Sequence, residues 1–553
     1  MAGSWQPLKS QPTFSASTML LLTDGTIMCQ DGGGTAWWKL TPDLHGDYVN
    51  GTWSPLASMH HSRLYYASAV LRDGRVFMAG GEYSDAGSET NKAEMYYPTI
   101  DWWAEIPSPA WSEVGDAPCC VLPDGRILVG SIDSTETAIF DPVTETWTDA
   151  ASKDDSSSEE TWVLLPDETV LAVECSAHPK AEKYVIAADE WVSAGTLPIE
   201  LVQASSIEIG PGMALPDGRA FFAGATGHTA LYTPPPIANE AGTWTTGPDF
   251  PGGLEAKDAP GCLMPNGKVL LIASPAGEGG SYPGPTHFFE FDPAANTMTA
   301  VTDPANAGGP CFTGRMMLLP TGQVLFTSGS SQAFVYTPSP SGVLEDDWRP
   351  EIVSCPTLLR AKQTFTLQGE QLTGLSQAVS YGDDAGLATN YPLVRIRNIK
   401  TGHVRYCRTF NHSTMAVGTG ETTQHTSFKV PAGMEQGEAE LEVVVNGIAS
   451  EAVRVNVGPF LLHFHLDEAA VNQLIGSLAD GPLWVLGPHG PVPVDPWGPK
   501  IGKQAEAARD QIITAVRELQ QLGNEVEKLR EQADRFEGEI EPSRGGIRAT
   551  VAH

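Results

Sequence analysis

AVLRDGRVF (69–77), CVLPDGRIL (120–128) and MALPDGRAF (213–221) are copies of one phrase: an apolar run, a tight Asp-Gly turn and a second apolar run. Four more stretches carry it: LLLTDGTIM (20–28), VLLPDETVL (163–171), CLMPNGKVL (262–270) and MLLPTGQVL (317–325). Asp-Gly and Asn-Gly supply the positive φ that tight hairpins need, and the flanking Val, Ile, Leu and Phe suit buried strands. The turn residues Asp24, Asp73, Asp124, Asp167, Asp217, Asn266 and Thr321 follow one another at 43 to 55 residues. A hairpin repeating at about 50 residues is the period of propeller blades. The seven copies predict seven blades.

After each hairpin comes an aromatic phrase, as in MYYPTIDWW (95–103), IFDPVTETW (139–147), LYTPPPIANEAGTW (231–244) and FEFDPAANTM (289–298). These read as a third strand, a Pro-marked turn and an outer fourth strand, since proline tolerates a sheet edge and not its centre. Trp53, Trp103, Trp147, Trp191, Trp244 and Trp348 are then expected at blade ends, packed between neighbouring blades. Trp5, in GSWQPL, looks like an outer strand with no blade before it, and is expected to close the ring by completing the last blade. The propeller, of the kelch type, is thus placed at residues 1–348.

Residues 349–457 run from RPEIVSCPTLL to VVVNGIAS and VRVNV. Short alternating strands between Gly, Asn and Pro turns suggest an immunoglobulin-like sandwich. Residues 458–500 read as a strand and a Pro/Gly-rich linker. Within it, His463 and His465 share a strand face near Asp467, a weak metal pattern that more simply reads as a strand running into a helix. Residues 501–553 change character. Ile512, Val516, Leu519, Leu522, Val526, Leu529, Ala533, Phe536 and Ile540 recur at steps of three and four, close to a heptad seam. A helical, coiled-coil-like tail over 501–541 is expected to form a homo-oligomer or to dock on a helical partner.

Net charge is −34, from 33 Lys plus Arg against 67 Asp plus Glu. Such a surface repels phosphate backbones, so nucleic acid is not an expected partner, and it favours cationic or neutral ones; between carbohydrate, peptide and protein as ligand the sequence does not choose. No apolar run reaches the roughly 18 residues of a membrane span. The start, MAGSWQPLKSQ, has neither a basic nor an apolar signal region, and the eight scattered cysteines fit a reduced, cytoplasmic setting, with non-classical export the alternative.

A seven-bladed kelch propeller followed by an immunoglobulin-like early set domain resembles the galactose oxidase and glyoxal oxidase family over roughly residues 1–457, most closely in SRLYYASAVLRDGRVFMAGGEY (62–83). The resemblance implies one copper ion, a tyrosyl radical cross-linked to cysteine, and oxidation of alcohols or aldehydes to give hydrogen peroxide. Carried over position by position, it places the radical tyrosine at Tyr65. It places the thioether cysteine near Ala16 in TFSASTMLLL (13–22), the adjacent tyrosine and histidine at Phe312 and Thr313, and the last ligand at His412 in RTFNHSTMAV (408–417). Phenylalanine and threonine do not replace phenolate and imidazole as copper ligands. Copper is therefore not expected, and no catalytic residue is assigned.

Instead, carboxylates recur at the leading ends of the innermost strands: Asp116, Glu159 or Glu160, Glu208 and Asp258, beside Tyr65. Either they accept backbone N–H groups, or they converge on the channel mouth and hold a calcium ion, another cation or an amine-bearing ligand. His60 or His61, a few residues before Tyr65, adds a candidate metal ligand. The reading is a non-catalytic binding or scaffold protein that recognises its ligand at the propeller face. The alternative is a copper oxidase rebuilt around Tyr65, His412 and His60 or His61.

Overall fold

The computed structural model describes residues 3–85, 88–339, 344–381 and 387–458, and the backbone of two further strands, Trp484–Gly487 and Gly490–Pro493, which pair antiparallel. Those two strands belong to a separate unit, 460–553, whose remaining residues, with the expected helical seam and His463 and His465, lie outside the described part.

Seven antiparallel sheets form the propeller. Blade I begins with Ala16–Leu21, blade II with Ala67–Val70, blade III with Cys119–Val121 and blade IV with Trp162–Leu164. Blades V, VI and VII begin with Gly212–Ala214, Pro260–Leu263 and Arg315–Leu318. Each Asp-Gly-type phrase forms the turn between the two innermost strands, where both are buried throughout. Small and branched side chains fill the narrow centre. Larger aromatics, such as Phe77 against Phe140 and Phe221 against Phe291, fill the widening gaps between blades.

Ser4–Pro7 is the outer strand of blade VII, with Trp5 opposite Tyr336. The last Trp position is therefore filled by Trp5, whereas Trp348 lies in a short turn outside the blades, over Gly267. Four of the outer tryptophans share one device, while Trp191 Nε1 reaches Thr137 Oγ1 on the third strand of blade III. Trp103 Nε1 donates to Ala57 O at 2.9 Å, Trp147 to Pro107 O at 2.7 Å, Trp244 to Ala194 O at 3.0 Å and Trp5 to Thr302 O at 2.6 Å. Each of these four indoles thus reaches the outer strand of the preceding blade, so its apolar body packs while its polar edge is satisfied.

Strands from Glu351 to Gly458 build a nine-stranded sheet that includes one parallel pair, Leu358–Arg360 with Val453–Gly458. Asn446 and Gly447, both with positive φ, make the expected hairpin turn between Val445 and Ile448. This sheet covers the hairpin-turn end of the propeller: Thr409 N donates to Thr23 O at 3.0 Å and Met415 N to Pro123 O at 2.9 Å. From it a finger enters the central channel, where Val379–Tyr381 adds a fifth, innermost strand to blade VI, with Tyr381 opposite Pro260. Among the described residues, a cavity of about 40 Å³ lies beside the finger, between Cys119, Trp162, Met213 and Val379. The channel is plugged, and its accessible end is the one where the innermost strands begin. No helix among the described residues is long and apolar enough to cross a membrane.

Candidate functional site at the channel mouth

Four residues at the leading ends of innermost strands hold left-handed backbone: Tyr65 (φ 47°), Glu159 (58°), Ile207 (65°) and Asp258 (50°). Non-glycine residues adopt this region at a cost, and such strain gathers at functional sites. Here it turns side chains out of the strand direction at the mouth.

One side of the mouth is aromatic and cationic. Tyr65 and Tyr381 lie nearly parallel, centroids 6.5 Å apart, and Tyr83 meets Tyr65 edge-on at 6.3 Å. The Arg315 guanidinium sits 3.6 Å over the Tyr381 ring and 5.6 Å from that of Tyr65. Arg315 Nη1 donates to Phe312 O and Gly314 O, both at 2.8 Å, and Tyr381 Oη donates to the same Phe312 carbonyl at 2.7 Å. A planar, weakly hydrated guanidinium suits this stacking.

The other side is acidic. Glu159, Glu208 and Asp258, from blades IV, V and VI, each bring a carboxylate oxygen within 4.8 Å of the other two. Tyr282, from the Gly-rich insertion of blade VI, donates its hydroxyl to Glu208 Oε1 and meets Phe312 edge-on at 4.9 Å, joining the two sides. Lys257 lies 4.0 Å over the Tyr282 ring, its ammonium donating to Gln203 Oε1 and Gly279 O. Burial, with Asp258, Glu208 and Glu159 around it, pushes the Tyr282 hydroxyl far above its usual range.

The remaining candidates are placed elsewhere. Asp116 is buried and lies outside this cluster. Glu160 turns inward, where Lys153 Nζ stands 3.3 Å from it, 2.9 Å from Glu174 and 3.3 Å from Glu182. Glu159 holds left-handed backbone in the turn before the strand, whereas the next residue, Glu160, is fully buried. His60 Nδ1 is 2.8 Å from Glu94 Oε1, and His61 stands between Asp85 and Glu105 at 3.2 and 3.3 Å. Glu94 is held in turn by Arg63 at 2.8 Å, both side chains fully buried, which fixes the segment leading to Tyr65. His412 is buried, 2.8 Å from Thr426 Oγ1, with its backbone N–H on Arg72 O. Arg72 is at the turn end of blade II, roughly 20 Å of extended strand from Tyr65. Burial, then Arg72 and Arg408, pushes the His412 imidazole down to about 3. Ala16 is buried at the start of blade I, and all eight cysteines are free thiols.

The cluster around Lys153 makes stability pH-dependent. Burial and Glu160 push the Glu174 carboxyl up to about 9 from an ordinary 4.5. A folded-state value above the unfolded one stabilises fully at pH below the unfolded value, and that contribution is lost as pH rises through the folded value. The thermal midpoint is expected to decline from mildly acidic to pH 9. Glu174→Gln, neutral throughout, should flatten that decline in a melting series; an unchanged slope would remove Glu174 from the account.

No protein-family model matches the chain. The F-box/kelch-repeat protein SKIP30 of Arabidopsis thaliana is 34% identical over 95 residues, 15% of this chain and 26% of that protein. Galactose oxidase of Gibberella zeae is 37% identical over 62 residues, 11% of this chain and 9% of that protein. The chain thus spans only a minor part of the curated relatives it matches. A solved structure of a fungal alcohol oxidase of the AA5 family, in complex with copper, superposes with a TM-score of 0.50 at 15% identity, covering 83% of this chain and 100% of that one. At that identity the likeness is one of fold. Blade count, turn phrases and these matches define a kelch-type propeller protein. Within that class, the chain resembles galactose oxidase over a short stretch of sequence and the AA5 alcohol oxidase in fold.

Arg315, Tyr282, Tyr381 and Lys153 were not visible as site residues in the sequence. Tyr282 alone carried a signal: it is the aromatic residue within a Gly/Pro-rich insertion, PAGEGGSYPGP (275–285).

Proposed function

We propose that the protein is a non-catalytic binding protein, recognising its ligand at the open channel mouth. The observation that carries this is the stacking of the Arg315 guanidinium on Tyr381 beside Tyr65, with Phe312 and Thr313 next to it. Copper held as in galactose oxidase would need nitrogen and phenolate donors there. Thr313 Oγ1 donates to its neighbour Pro310 O at 2.8 Å, Phe312 offers only its ring and carbonyl, and His412 is at the other end of blade II. The residues present do not fit the metal. The exposed Tyr83 and the half-buried Tyr65 and Tyr282, beside carboxylates, suit a neutral or cationic ligand, carbohydrate or peptide, on a chain this acidic. Residues 349–457 would serve as an early set domain that braces the propeller from its turn end, and the 501–553 tail as an assembly element, giving avidity to weak individual sites.

Protein produced with copper should release no hydrogen peroxide above buffer when offered primary alcohols, aldehydes and hexoses. Turnover abolished by Tyr65→Phe would instead establish the oxidase.

A further inference from the structure

We propose that Glu159, Glu208 and Asp258 form a binding site for a hard divalent cation, calcium by its size and ligand chemistry. The site goes beyond the reading above and stands whatever the peroxide assay gives. One oxygen from each carboxylate lies within 4.8 Å of the others. Two oxygens bound to the same calcium ion are at most about 5 Å apart, so this is the spacing of one coordination sphere.

The second observation concerns Glu208. It is 6% exposed, and while its Oε1 takes the Tyr282 hydroxyl, its Oε2 has no hydrogen-bond partner among the described residues. A buried carboxylate oxygen without a donor is expensive, and a bound cation supplies what is missing. The Lys257 ammonium is engaged with Gln203 Oε1, Gly279 O and the Tyr282 ring. The three ligands come from three successive blades, so the fold and not local sequence sets their spacing. They are all oxygens, which selects calcium over the transition metals that imidazole and thiolate favour. Three carboxylates with the other positions left to water suit a Kd on the order of 10⁻⁵ to 10⁻³ M.

Calcium chloride titrated calorimetrically into the full chain, at physiological ionic strength, is expected to show one saturable site. Glu208→Gln and Asp258→Asn should each weaken it by at least about ten-fold. Glu89→Gln, from a separate acidic group with Glu113 and Asp133, should leave it unchanged. Terbium provides a readout on the unaltered protein: excitation of Tyr282, bonded to Glu208, should sensitise lanthanide emission that calcium displaces. Wild-type protein without saturable calcium binding, folded variants that keep full affinity, or terbium emission that calcium leaves untouched would each overturn the site.

Discussion

Replacing Lys153 by methionine is expected to destabilise the protein by about 3–5 kcal/mol near pH 8, the range for removing one partner of a buried ion pair. Lys153 is 4% exposed and meets three glutamates, and its ammonium also lies 4.4 Å over the Trp191 ring. Burial alone would lower its proton affinity, but Glu160, Glu174 and Glu182 together hold it well above the usual range. Methionine fits the stem but leaves Glu160 and Glu182 without their counter-charge, beside a Glu174 carboxyl that already holds its proton at this pH. They respond by binding protons, so the loss should shrink towards pH 5, where protonated carboxyls hydrogen-bond one another. Urea melts of Lys153→Met and wild type at both pH values test this. A pH-independent loss would point to packing, and no loss would mean that the cluster is not held by its cation.

Deletion of residues 1–10 should have the second large effect. Ser4–Pro7 pairs along its whole length with the strand Ala333–Thr337, and Trp5 packs against Phe288 at 4.9 Å, Phe326 at 5.9 Å and Tyr336 at 4.8 Å. Phe288 belongs to blade VI and the other two rings to blade VII, so the terminal strand ties the last blade to its neighbour and Trp53 Nε1 reaches Ser10 O on the other side at 3.1 Å. Trp5 is half-buried, so truncating it alone should cost about 1–3 kcal/mol, with the lost strand pairing adding to it in the deletion. The expected result is a sharply lower thermal midpoint, with Trp5→Ala reproducing much of it. A midpoint within a degree or two of wild type would mean that the ring closes without this strand.

Most of this architecture was legible because it is written locally and repeatedly. Each Asp-Gly or Asn-Gly turn fixes a hairpin by its own backbone preference, and the orphan Trp5 announced the missing strand of blade VII. The channel finger was not legible. Val379–Tyr381 is an ordinary apolar stretch, and only its pairing with Pro260–Leu263, more than a hundred residues away, makes it part of blade VI. For the same reason Arg315 and Tyr381 could not be joined to Tyr65 beforehand. Carboxylates were legible as residues approaching the mouth, but not their fates. A single step along the chain separates Glu159, in the cluster with Glu208 and Asp258, from Glu160, which neutralises Lys153. His412 was drawn towards Tyr65 by resemblance, whereas the sheet that carries it rests on the opposite end of the propeller.

The most direct test of the channel mouth as a binding site is the copper content of the full chain, produced with copper supplied and mildly chelated, by elemental mass spectrometry. With Arg315 stacked beside Tyr65 and no imidazole or thiol at the matching positions, copper should stay far below one ion per chain. Retention near one ion per chain, lost in Tyr65→Phe, would contradict the account and restore an oxidase built on this fold.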